Sequence, residues 1–109
     1  MTGSETLPPA IAHFFDATNH ADRERFLSAF AADAVLDDWG HTYTGRDEVA
    51  RWNETDNMGV QSHFEVTGFT VHNGIYAVSI QVTGNGFNGG GTMAFTIVDD
   101  LISRVDITG

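Results

Sequence analysis

The hydrophobic period of this chain changes once along its length. Apolar residues recur every third and fourth position in the first third, and every second position from about residue 60 onwards. The first pattern predicts helices and the second predicts strands half-buried on one face. Ile11, Phe14, Phe15 and Thr18 follow Pro8 and Pro9, which fit a first helical turn because its N–H groups have no helical partner. This predicts a first helix over residues 8–19. Phe26, Leu27 and Phe30 predict a short second helix, entered through capping side chains between Asn19 and Asp22. A short strand is expected over residues 34–38, with Leu36 and Asp38 on one face and Val35 and Asp37 on the other. Gly40 turns the chain, and Thr44 or Gly45 starts a third helix with Asp47 and Glu48 in its first turn and Val49 and Trp52 as its buried stripe. Alternating runs over 60–71, 75–83, 92–98 and 101–108 predict the remaining strands. Asn73-Gly74 is a strong signal for a tight hairpin, and Asp99-Asp100 closes the last pair.

Helices first, then one strand, a helix and a meander make an α+β layout. The expected architecture is a cone-shaped, curved antiparallel sheet wrapped around about three N-terminal helices, with a pocket at the open end. A length of 109 residues fits one domain over 1–109, with residues 1–6 polar and expected to be loose.

Composition narrows the function classes. Five Arg and no Lys stand against fifteen acidic residues, for a net charge of −10, and the cations are scattered. Phosphate binding needs a clustered cationic surface, so nucleic acid and an anionic membrane surface are not expected partners. A neutral or cationic small molecule fits the charge better. The absence of Cys excludes disulfides and thiol nucleophiles. No apolar run reaches the roughly 18 residues of a membrane span, and a cytoplasmic location is the default expectation. The glycine-rich stretch 84–91 lacks the Lys and Ser/Thr of a phosphate loop and links two strands instead of opening a helix. His13, His20 and His72 show no paired ligand spacing, so no metal site and no cofactor are expected.

The candidate chemistry gathers between Phe30 and Trp52. Asp38 shares a face with the apolar Leu36, where partial desolvation suits a carboxyl to proton transfer. The competing reading makes Asp38 a strand-end carboxylate that caps the Gly40 turn or bonds Thr42. Asp37, on the other face, is expected to be solvated. His41 could partner Asp38 across the turn, and Trp39, Tyr43 and Trp52 could wall a pocket. His63 is expected on the outside, toward solvent or a partner subunit.

The segments FAADAVLDDWG, TYTGRDEVARW and LISRVDI, in this order of elements, resemble the nuclear-transport-factor-2-like superfamily, and within it the SnoaL-like and ketosteroid-isomerase-like proteins. The resemblance spans residues 11 to 108. It implies that Asp38 occupies the position of the isomerase aspartate that moves the substrate proton. It also implies that Phe14 replaces the isomerase tyrosine and that Thr92 falls near the neutral aspartic acid. An enolate would then lack two strong donors, so steroid isomerisation itself is not expected. The implied pocket comprises Phe14, Leu36, Trp39, Tyr43, Trp52, Thr92 and Val105, with Asp38 and His41 as the catalytic candidates. The implied ligand is a hydrophobic small molecule, handled by isomerase, cyclase or hydrolase-type acid/base chemistry. A homodimer through the outer sheet face at Ser79, Gln81, Thr83, Ala94 and Thr96 is also implied. The alternative is a non-catalytic ligand-binding or protein-interaction module on the same fold. An epoxide-hydrolase relay would need Asp38, Arg104 and Asp106 to meet.

Overall fold

A computed structural model describes residues 6–109. The expectation for residues 1–6 therefore concerns, for residues 1–5, a stretch outside the described residues. Helix α1 (Pro9–Asn19) and α2 (Arg23–Ser28) come first, followed by β1 (Phe30–Asp38), β2 (His41–Thr44) and α3 (Gly45–Trp52). A π turn (Asn53–Asn57) and a 3-10 turn (Met58–Val60) lead into β3 (His63–His72), β4 (Ile75–Thr83), β5 (Gly89–Val98) and β6 (Leu101–Thr108). Phe30, which its spacing assigns to the second helix, opens β1 instead.

The six strands form one curved sheet in the order β2-β1-β6-β5-β4-β3. Antiparallel pairing holds everywhere except between β1 and β6, which run parallel. The sheet is thus mixed, because the chain leaves β1 through α3 and the meander and returns beside β1 only at its end. Register shifts between Phe30 and Val35 in β1, Val66 and Gly68 in β3, and Thr96 and Ile97 in β5 supply the bend. An extra residue on one strand sharpens local twist and curls a sheet that would otherwise lie open.

The hollow side of the sheet is filled by aromatic rings. Phe14 on α1 is fully buried, with ring centroids 5.1–6.4 Å from Phe15, Phe26, Phe30, Trp52, Phe64 and Phe95. Six neighbours around one ring leave no room for a ligand there. The cross-strand set Leu36, Val105 and Phe95 closes the same layer, and all three side chains are fully buried. Asn19 ties α1 to the edge strand: its amide donates to the Phe64 carbonyl at 2.9 Å and accepts from the Phe64 N–H at 2.8 Å. Arg46 anchors α3 by donating twice to the Phe30 carbonyl.

Candidate functional site

One step further along each strand the core gives way to a pocket. The cross-strand set after Leu36, Val105 and Phe95 is Asp38, Ile107 and Met93, and all three line it. Phe64, Ile80, Val82 and Gly91 continue the sheet wall. Trp52 from α3, with Asp56 and Asn57 from the π turn, forms the opposite side, and Trp39 and Phe87 stand at the rim, 63% and 57% exposed. The pocket spans about 480 Å³ of atom-free space, a volume that includes its open mouth and the solvent there.

The two aspartates at the end of β1 divide their tasks. Asp37 accepts from the Gly40 N–H at 2.9 Å and from the Thr42 hydroxyl at 3.2 Å, so the turn-capping role belongs to Asp37. That replaces the expectation that Asp37 is simply solvated. Asp38, half-buried, points the other way and accepts the indole N–H of Trp52 at 3.0 Å through Oδ2. This hydrogen bond orients the carboxylate, and among the described residues Oδ1 has no partner. Trp52 is 3% exposed and stacks against Phe14 and Phe26, so the donor is held by the core.

The turn beyond Asp38 is a two-residue hairpin loop. Trp39 and Gly40 have φ of 52° and 92°, the left-handed pair that suits the twist of the flanking strands. A bulky side chain in that region costs on the order of 1 kcal/mol, and here it places an indole at the pocket rim. The π turn does comparable work on the facing side. A wider helical turn displaces the backbone outward, a feature frequent at functional sites, and it brings both Asp56 and Asn57 to the pocket. Gly59 makes this possible, because a Cβ there would run into the Glu54 carbonyl.

Tyr43 is half-buried beside the site, with its hydroxyl 3.4 Å from Asp56 Oδ2. Burial, followed by the negative charges of Asp56 and Asp38, raises its pKa above the ordinary tyrosine value of 10.0. The phenol therefore keeps its proton at neutral pH. The fully buried Asn57 donates from Nδ2 to Thr18 Oγ1 at 3.1 Å and to Asn53 Oδ1 at 2.9 Å, and Thr18 in turn donates to the Phe14 carbonyl.

Of the residues expected at a site, Asp38, Trp39 and Trp52 meet at this pocket. Phe14, Leu36 and Val105 lie in the packed layer below it. Thr92 sits between the lining residues Gly91 and Met93, so strand alternation turns it to the other face, across from Ser79 and Thr108. His41 is the cross-strand partner of Asp38, yet it is exposed and does not line the pocket. Arg104 pairs with Asp106 on the outer face, in register with Val35 and Asp37, so the sheet separates both from Asp38. No epoxide-hydrolase relay forms. The sequence pattern did not single out Asp56, Asn57, Ser62 or Phe87, which come from turns and loops without a period. Among the described residues there is no cluster of three or more His, Asp or Glu able to hold a metal, and no helix is long and apolar enough to cross a membrane.

Comparison with known proteins follows the same lines. The model of the SnoaL-like domain matches residues 11–105. A polyketide-cyclase-like protein from Sinorhizobium meliloti is 30% identical over 94% of this chain and 95% of its own, with a TM-score of 0.86. A ketosteroid-isomerase-like protein from Kribbella flavida is 24% identical over 92% of this chain and 74% of its own, with a TM-score of 0.78. The Δ5-3-ketosteroid isomerase of a Mycobacterium species shares the fold at 16% identity, covering 92% and 89% with a TM-score of 0.78. Among curated proteins no sequence match was found.

Proposed function

Because the chain belongs to the SnoaL-like family, we propose that the pocket beside Asp38 binds a small molecule with an apolar body and that Asp38 moves a proton on it. The reaction class is an isomerase or cyclase-type step that needs no external cofactor. The observation that carries this reading is the division between the aspartates: Asp37 is consumed by the turn, whereas Asp38 is held at the pocket by the buried Trp52, its other oxygen without a partner among the described residues. A carboxylate so placed can take a proton from a bound ligand and return it elsewhere on the same molecule. The ring-packed Phe14 and the outward Thr92 supply no donors for an enolate oxygen. That lack favours a second reading, a binding protein on the same scaffold. The outer face at Ser79, Gln81, Thr83, Ala94 and Thr96 is the surface proposed for a homodimer.

A general-base probe distinguishes the two readings. 5-Nitrobenzisoxazole is a neutral aromatic that opens to a coloured cyanophenolate when a base removes the C–H proton of its isoxazole ring and the N–O bond breaks. The protein is expected to accelerate this opening, and Asp38→Asn to reduce kcat/KM by about 100-fold. Asp37→Asn is expected to leave the rate within a few-fold. Equal rates for Asp38→Asn and the parent would remove the proton-transfer assignment.

A further inference from the structure

The polar lining of the pocket is unbalanced. Its ionisable members are Asp38 and Asp56, and no Arg, Lys or His lines it. The side-chain N–H groups on its walls are largely spent: that of Trp52 on Asp38, and those of Asn57 on Thr18 and Asn53. The hydroxyl of Ser62 can act in either sense, and the indole of Trp39 stands at the rim.

Asn57 adds an independent observation. Its Oδ1 is buried without a hydrogen-bond partner among the described residues. The amide cannot be turned over to cure this. Thr18 gives its hydroxyl proton to the Phe14 carbonyl, so its oxygen must accept, and only the NH2 side of Asn57 can donate to it. Asn53 Oδ1 likewise requires a donor. The unused acceptor therefore belongs to a fully buried residue that lines the pocket.

We infer that the ligand of this pocket carries a hydrogen-bond-donating cation, a protonated amine on an apolar body. This rests on the reading of the pocket as a small-molecule site. The ammonium answers the two carboxylates together, which an alcohol does only in part and a carboxylate not at all. The exposed faces of Trp39 and Phe87 at the mouth favour a cation through their ring quadrupoles. A net charge of −10 draws cations toward the protein and repels anions before contact is made.

Four probes that share one phenyl ring test the inference by calorimetric titration at neutral pH and low salt: benzylamine, benzyltrimethylammonium, benzyl alcohol and benzoate. Benzylamine is expected to bind at least about tenfold tighter than benzyl alcohol, benzyltrimethylammonium between the two, and benzoate weakest. Asp56→Asn is expected to weaken benzylamine severalfold and to weaken benzyl alcohol much less. That substitution is at an exposed side chain and does not threaten the fold. Equal or tighter binding of benzyl alcohol or benzoate would overturn the cation and leave the small-molecule reading standing. Equal binding of benzyltrimethylammonium and benzylamine would overturn the donor requirement. No binding by any of the four would overturn the reading of the pocket as a ligand site, and the inference with it.

Discussion

Replacing Trp52 with Phe separates the two tasks of the indole. Phenyl keeps a ring against Phe14 and Phe26, whose centroids are each 6.4 Å away, but removes the N–H that holds Asp38. The smaller ring leaves a gap of about 40 Å³, worth about 1 kcal/mol at roughly 24 cal/mol per Å³. A hydrogen bond to a charged group contributes about 1.5–3 kcal/mol, and the lower end applies because Asp38 is only half-buried. The sum is about 2–3 kcal/mol, a fall in Tm of roughly 10 °C for a domain of this size. A double-mutant cycle with Asp38→Ala isolates the bond, since the gap appears in both arms that contain Trp52→Phe. Urea unfolding of the four proteins is expected to give a coupling energy of about 1–2 kcal/mol. A coupling below about 0.3 kcal/mol would refute the claim that Trp52 fixes the carboxylate.

Two further outcomes follow from the walls of the pocket. Gly59→Ala forces the 3-10 turn away from the Glu54 carbonyl, so it is expected to cost at least about 1–3 kcal/mol and to weaken ligand binding through displacement of Asp56 and Asn57, as read by thermal unfolding and titration. Tyr43 binds its proton more tightly in the folded state, so its contribution to stability is complete below pH 10 and is lost as the pH rises through the higher folded value. In a Tyr76→Phe background, phenolate absorbance is expected to show that midpoint above 10.0, and Asp56→Asn to move it down.

Local signals account for what was legible in the sequence. The period of three and four placed α1 and the buried Val49 and Trp52. Asn73-Gly74 and Asp99-Asp100 form tight turns with both residues at positive φ. Alternation separated Asp37 from Asp38, although composition could not say which would cap the turn. The parallel pairing of β1 with β6 depends on contacts some 70 residues apart and leaves no local trace. The four residues of β2 are too few to show a period. The π turn has no pattern of its own, and its only marks are two buried asparagines four apart, Asn53 and Asn57, and the glycine that follows. Carrying Phe14 over from the family located the helix but not the cavity, because the space its side chain would face is taken by six other rings.

The central claim is that ligand enters between Trp39, Trp52 and Asp38. The chain has two tryptophans, so a 15N correlation spectrum contains two indole N–H signals that report directly on the two sides of the site. Titration with benzylamine is expected to shift both, together with the backbone amides around Asn57 and Gly91, and to leave Ser79 and Gln81 on the outer face unmoved. Shifts confined to the outer face, with both indoles unchanged at saturation, would contradict the account.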